Sequence, residues 1–231
     1  MPTMENQNHW NIFRTAWQSA LAAALSLGLP AGLSLWLILF QQIYKSTVVE
    51  SLSDFLQDHG LYRIYIVALS SILWSYMLGR ISGYRPWWRI GTASASAILA
   101  AWFSPLANVD GILYEFQPSL PIHLNYAGAM VGLIGGVTLF VGLAYGIILR
   151  STKAALTMAL TTSLVSVLTL LLTIIMFDQF GIRVGTGNFA MSKVTVAGLL
   201  TSSITGGMVL GVEFSQFVRE ERFKVTLTEL A

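Results

Sequence analysis

The chain has 231 residues, of which 55% are hydrophobic and 10% are charged, and its mean hydropathy is +0.66. Soluble domains carry about 25% charged residues, so the composition predicts an integral membrane protein with no separate soluble catalytic domain. The formal net charge of +2 is too small to indicate a nucleic-acid partner. Cysteine is absent, which excludes disulfides and cysteine-ligated metal sites.

We predict an all-α polytopic membrane protein with six transmembrane helices and a short amphipathic helix in the first extracytoplasmic loop. Residues 1–231 form a single transmembrane domain in this prediction. Each span is a run of mostly apolar residues near the roughly 20 that cross a bilayer core. The predicted spans are 16–40, 62–79, 86–104, 126–149, 154–177 and 194–218, with short tails at 1–14 and 219–231.

The first span carries a small residue at every fourth position, which places these residues along one helical face. They are Ala16, Ala20, Ala24, Gly28 and Gly32. Small side chains let a second membrane helix approach closely, so we expect a docking face here. Pro30 predicts a kink because it removes a backbone hydrogen bond.

The loop after the first span contains a segment with helical amphipathic spacing, over residues 47–59. Val48, Leu52 and Phe55 share one face, and Asp54 and Asp58 lie on another. We expect a helix lying on the membrane surface or over the bundle.

The second and third spans are joined by a tight loop that is rich in arginine. Arg80, Arg85 and Arg89 lie beside Trp87 and Trp88. The ordinary interpretation is a topology signal with aromatic anchoring. The alternative is that these arginines contact a lipid headgroup or an acidic partner.

The fourth and sixth spans also carry small residues in four-residue register. Gly128, Gly132 and Gly136 form one stripe of the fourth span, Gly142 and Gly146 form a neighbouring stripe, and Gly207 and Gly211 lie in the sixth span. We interpret the fourth span as a central packing helix with neighbours on more than one side.

Hydroxyl groups follow nearly the whole fifth span, at Thr157, Thr161, Ser166, Thr169 and Thr173. Interhelical hydrogen bonding and the wall of a polar path both fit this pattern. Glu213 is the acid that falls within a predicted span, and Gln216 lies one helical step away. Ionisable groups inside membranes are costly and often functional, although pairing with Arg150 or Lys153 near the interface would also explain Glu213.

The distribution of basic residues predicts the orientation of the chain. With both termini on one side, that side holds nine of the 13 lysines and arginines and the other side holds four. The positive-inside rule then places both termini in the cytoplasm, and we expect a bacterial inner membrane.

The residues needed for membrane catalysis are missing from the predicted spans. His9, His59 and His123 fall in the tail or loops, which excludes haem held by two histidines, and no HExxH motif occurs. We therefore predict no enzyme, no cofactor and no metal, while a structural lipid remains compatible with the sequence.

The sequence favours a non-catalytic subunit or accessory component of a larger membrane complex, which docks through its small-residue faces. Its expected partners are membrane lipids and other integral membrane subunits. The first alternative is a transport module with a Thr/Ser-lined path, such as a small permease, channel subunit or substrate-binding component. The second alternative is a homo-oligomeric pore.

Overall fold

The computed structural model describes residues 11–26, 28–29, 61–102, 104–105, 122–180 and 193–230, and these ranges contain helices and no strand. Side chains are described within 11–26, 28–29, 67–101, 104–105, 127–180 and 197–221. We number the helices in chain order. They are α1 (residues 11–26 and 28–29), α2 (Leu61–Ser82), α3 (Trp87–Trp102), α4 (Ile122–Ile148), α5 (Thr152–Gln179) and α6 (Lys193–Leu230).

Three of the described helices are long and apolar enough to cross a membrane. The crossing segments are Ala127–Ile148 with 22 residues, Thr152–Gln179 with 28 and Ala197–Glu221 with 25. The described part of the chain is therefore all-helical and that of a membrane-embedded protein. With 16 residues, α3 is only about 24 Å long, which is short of a hydrocarbon core of about 30 Å.

Helix ends differ from the predicted spans in several places. Helix α4 begins at Ile122, so His123, which we assigned to a loop, lies in its first turn. Helix α6 continues to Leu230, so most of the predicted tail 219–231 is helical. Helix α1 is already formed at residue 11, inside the predicted tail 1–14. The amphipathic segment 47–59, Pro30 and Gly32 lie outside the described residues.

Close approaches fix the relative directions of the helices. Gly211 lies against Ser19 and Gly207 against Ala23, so α1 runs antiparallel to α6. Gly211 also faces Leu78 and Gly207 faces Trp74, so α2 runs parallel to α6. One end of the bundle consequently contains the start of α1, the α2–α3 turn, the α4–α5 turn and the C-terminal part of α6. We call it the basic end because of its lysines and arginines, which are Arg14, Arg80, Arg85, Arg89, Arg150, Lys153 and Arg219.

The core near this end is built around Tyr145 of α4, which is completely buried. The indole Nε1 of Trp74 donates a hydrogen bond to the Tyr145 hydroxyl at 2.7 Å, and the Ser94 hydroxyl lies 2.7 Å from the same oxygen. The ring of Phe214 meets Tyr145 edge-on at 5.2 Å and Tyr84 at 5.6 Å. This network joins α2, α3, α4, α6 and the α2–α3 turn.

The turn between α4 and α5 is only a few residues long and is closed by local hydrogen bonds. Arg150 adopts a left-handed backbone with φ of 52°, a conformation common just after helix C termini. Ser151 is the N-cap of α5, and its hydroxyl accepts a hydrogen bond from the Ala154 amide at 3.2 Å. The short connection holds α4 and α5 as an antiparallel hairpin.

Candidate functional site

The second glycine stripe of α4 packs inside the protein, against α5. A Cβ atom on Gly142 would collide with the backbone of Met158 and Ala159, and one on Gly146 would collide with Ala155. The absence of these Cβ atoms lets the two helices touch at their backbones. This stripe is therefore a contact between two helices of the same chain.

The glycines of α6 are also used inside the bundle. A Cβ on Gly207 would collide with Ala23, and one on Gly211 would collide with Ser19. These contacts seat α1 on α6, so this pair is likewise taken by the protein itself.

Helix α1 turns a different face to the bundle from the predicted stripe. Its buried residues include Thr15, Ser19, Ala22, Ala23 and Ser26, together with Ala20 from the predicted set. Ala16, Ala24 and Gly28 are half-buried, and a Cβ on Gly28 would meet no atom within 4 Å.

The first stripe of α4 is only partly covered. Gly136 is buried, whereas Gly128 and Gly132 are half-buried. In these two predicted stripes, the residues that stay partly accessible are therefore Ala16, Ala24 and Gly28 on α1 and Gly128 and Gly132 on the N-terminal half of α4.

The hydroxyl groups of α5 meet α6 in pairs, in a contact that we call the α5–α6 polar seam. Thr173 and Thr201 lie with their hydroxyl oxygens 3.0 Å apart, and Thr205 donates to Thr169 at 3.1 Å. The third pair is Thr161 with Glu213. From one pair to the next, the residue number falls on α5 by as much as it rises on α6. The seam therefore fixes an antiparallel register of the two helices.

Glu213 is the charged member of this seam. The Thr161 hydroxyl lies 2.7 Å and 2.8 Å from the two carboxylate oxygens of Glu213 and donates to them. The same hydroxyl lies 2.7 Å from the carbonyl oxygen of Thr157. Within the described part of the chain, Glu213 is hydrogen-bonded to Thr161 and makes no ion pair with Arg150 or Lys153. Its side chain is half-buried, so it is neither sealed in the core nor fully solvated.

Three other residues of the predicted polar path lie outside the seam. Ser166 is completely buried, faces Gly206, and has no hydrogen-bond partner among the described groups. Thr157 is half-buried and contributes its carbonyl oxygen, while Gln216 is exposed. Of the residues predicted for a polar path, the seam therefore contains Thr161, Thr169, Thr173 and Glu213.

The three arginines of the α2–α3 turn are all exposed. The guanidinium of Arg80 lies over the ring of Tyr76 at 5.7 Å, and that of Arg89 lies over the ring of Trp88 at 5.4 Å. The structure therefore places Arg80, Arg85 and Arg89 together at one turn, as their spacing suggests.

The sequence interpretation missed the hydrogen-bonded network of Trp74, Ser94 and Tyr145. The sequence feature that could have revealed this network is a tyrosine and a tryptophan inside apolar helices. Buried Tyr and Trp side chains usually need a hydrogen-bond partner for the O–H or N–H group. It also missed Ser163, which donates to the Gly135 carbonyl at 3.1 Å and adds a hydrogen bond between α5 and α4.

The chemistry available at the seam is that of oxygen ligands. A carboxylate, a hydroxyl and a backbone carbonyl converge within hydrogen-bond distance at Glu213, Thr161 and Thr157. Such hard oxygen groups can share a proton or bind a small cation. Groups of three or more His, Cys, Asp or Glu side chains that would hold a metal do not occur among the described residues.

Comparison with known proteins adds no family to this geometry. The chain matches no protein-family model, no curated protein and no solved structure.

Proposed function

We propose that the protein is a non-catalytic membrane transport module with six spans, in which the α5–α6 polar seam handles the transported species. The observation that carries the proposal is the half-buried Glu213 carboxylate held by Thr161 within a helix–helix contact. Ionisable groups within membrane helices commonly mark substrate or ion pathways.

The Thr161 hydroxyl suits this role because it has one proton and acceptors on two sides. It can donate either to the Thr157 carbonyl or to the Glu213 carboxylate, which lie at similar distances. When Glu213 carries a proton or a cation, the Thr161 hydroxyl can donate its own proton to the Thr157 carbonyl. Its oxygen can then accept a hydrogen bond from the protonated carboxyl, or bind the cation. Both states of the site therefore keep their hydrogen bonds.

We place the protein in a bacterial inner membrane with the basic end, and hence both termini, in the cytoplasm. The supporting observation is the grouping of seven basic side chains at that end, which the positive-inside rule assigns to the cytoplasm. The first membrane crossing is also part of this proposal. So are the segments that would extend α2 and α3 into the second and third crossings.

The test is native mass spectrometry of the tagged protein, extracted gently from its own membrane. Three proteins are compared: wild type, Glu213→Gln and Glu220→Gln, which removes an exposed carboxylate from the same helix. We expect a small bound species on wild type and on Glu220→Gln that is lost from Glu213→Gln. A wild-type chain without a small bound species, or one equally retained by Glu213→Gln, would overturn the proposal.

A second candidate function is a subunit of a larger membrane complex. The observation that favours it is the set of small residues left accessible, since Gly28 has open space and Gly132 is half-buried. Foreign subunits at fixed stoichiometry in the same spectra, lost in Gly28→Leu or Gly132→Leu, would support this function. A ring of identical copies would instead support a homo-oligomeric pore.

A further inference from the structure

The turn between α2 and α3 holds a concentration of positive charge in a fixed backbone. Gly83 adopts a φ of 72°, which glycine allows without steric cost. The Trp87 amide donates to the Arg85 carbonyl at 2.8 Å, and the Arg89 amide donates to the Pro86 carbonyl at 2.9 Å. These bonds fix the backbone of Arg85 and Arg89 around the start of α3.

Aromatic rings position two of the three arginines and leave their N–H groups available. Arg80 lies over Tyr76 and Arg89 over Trp88, at 5.7 Å and 5.4 Å from the ring centroids. A cation–π contact of this kind uses the charge of the guanidinium and not its N–H groups as hydrogen-bond donors, so these donors remain available to an anion.

The hairpin supplies no acid to neutralise these arginines. Residues 61–104 contain Arg63, Arg80, Arg85 and Arg89 but no aspartate or glutamate. Within the described part of the chain, no carboxylate lies within ion-pair distance of the three arginines of the turn. An excess of positive charge without an internal counterion favours an external anion.

The location of the turn indicates which anion would be available. Trp87 and Trp88 are 41% and 56% exposed and flank the arginines. Exposed tryptophans in membrane proteins concentrate at the level of the headgroups. The turn also shares the basic end with Arg150 and Lys153, which gives that end a field attractive to anionic lipid.

We propose that the α2–α3 turn binds the phosphate group of an anionic phospholipid, with Arg80, Arg85 and Arg89 as donors and Trp88 against the glycerol and upper acyl region. Guanidinium forks match phosphate oxygens in pairs, which a lysine ammonium does not do. This site is separate from the α5–α6 polar seam, so the result of its test does not depend on whether the transport proposal is correct.

The experiment titrates the full-length, detergent-solubilised protein with phosphatidylglycerol and with zwitterionic phosphatidylcholine, and counts bound lipids by native mass spectrometry. The test variant changes Arg80, Arg85 and Arg89 to lysine, which keeps the charge and the topology signal but removes the planar forks. The matched control changes Arg150 and Lys153 to glutamine, which removes charge from the same end without touching the turn.

We expect one tightly held phosphatidylglycerol on wild type and on the control, and about tenfold weaker binding or more in the lysine variant. Equal binding by the lysine variant and wild type would overturn the proposal, since charge alone would then suffice. Equal binding of phosphatidylcholine would also overturn it.

A competition arm separates a lipid from a free anion. Inorganic phosphate at millimolar concentration is added to the phosphatidylglycerol complex, and we expect the lipid to remain bound. Displacement by phosphate would overturn the assignment to lipid. Fixed-stoichiometry binding of an acidic protein to the turn, with no retained lipid, would overturn it as well.

Discussion

Tyr145 shows how one polar atom in an apolar core can hold several helices together. Its hydroxyl receives the Trp74 indole N–H and contacts the Ser94 hydroxyl, both at 2.7 Å. The oxygen therefore links α2 and α3 to α4 at a point from which solvent is excluded. Removing it would leave the indole N–H without an acceptor, which costs more than a hydrogen bond between solvated groups.

We predict that Tyr145→Phe lowers the free energy of unfolding by about 1–3 kcal/mol. The measurement is equilibrium unfolding in mixed detergent micelles, followed by circular dichroism. Tyr76→Phe is the matched control, because Tyr76 is exposed and its ring contacts with Trp87 and Arg80 survive the change. Equal stability of the two variants would contradict the role given to the Tyr145 hydroxyl.

Glycines that look alike in the sequence should respond differently to a larger side chain. Gly146→Leu places its side chain into the backbone of Ala155 and should disrupt the α4–α5 contact. Overpacking typically costs about 1–3 kcal/mol and more where backbone is struck. Gly28→Leu meets open space, so the isolated chain should fold normally.

Size-exclusion chromatography of both variants in detergent checks this difference. We expect Gly146→Leu to be aggregated or poorly expressed and Gly28→Leu to elute like wild type. If the two variants behave alike, the stripe on α4 does not pack as the structure has it.

At the scale of the helices, the α4–α5 turn combines a strained residue with a stabilising cap. Arg150 has a left-handed backbone, which costs a non-glycine residue roughly 1–2 kcal/mol. Ser151 recovers part of this through its hydroxyl, which accepts from the Ala154 amide.

The two residues should therefore give opposite effects on stability. We predict that Arg150→Gly stabilises the protein by up to about 1 kcal/mol, and that Ser151→Ala destabilises it by about 1 kcal/mol. Thermal unfolding of the two variants in the same detergent measures both. A destabilised Arg150→Gly protein would show instead that the Arg150 side chain contributes more than its backbone costs.

The direction of α1 and its burial illustrate what sequence patterns can and cannot give. The apolar runs predicted helices, and the described residues contain helices, because length and hydropathy are local properties of the chain. The four-residue stripe from Ala16 to Gly28 drifts around the helix, since each step of four residues turns it about 40° beyond one full revolution. Ala20 is its buried member among the described residues, while Ala16, Ala24 and Gly28 are half-buried. The structure uses Ser19 and Ala23 instead, which meet Gly211 and Gly207.

The site was predicted in part for the same reason. Thr161 and Glu213 were both singled out, because hydroxyls and an acid in apolar spans are visible in the sequence. Their pairing was not visible, because 52 residues separate them and the contact depends on how α5 and α6 align. The hydrogen bonds among Trp74, Ser94 and Tyr145 were missed because these three residues come from three different helices.

For the whole molecule, the length of α5 predicts that its two ends face the solutions on opposite sides of the membrane. Helix α5 has 28 residues and is about 42 Å long, enough to cross a bilayer from one surface to the other. Thr152 and Gln179 are exposed at its two ends. Since the natural chain has no cysteine, single cysteines at these positions report accessibility without background.

We predict that Thr152→Cys reacts with a membrane-impermeant maleimide only from the cytoplasmic side, in inverted vesicles. Gln179→Cys should react only from the opposite side, in intact spheroplasts. The cysteine-free wild type is the control and should remain unlabelled. Labelling of both positions from one side would contradict the crossing of α5, and a reversed pattern would contradict the proposed orientation.

The close packing of α4 on α5 begins beside their turn, and this has a consequence for how the protein is made. Gly146 meets Ala155 next to the connection, and Gly142 meets Ala159 one helical turn further on. Closing so short a loop costs little conformational entropy. The two helices can therefore associate first at the turn and then along their length during membrane insertion, and enter the lipid as a packed helical hairpin.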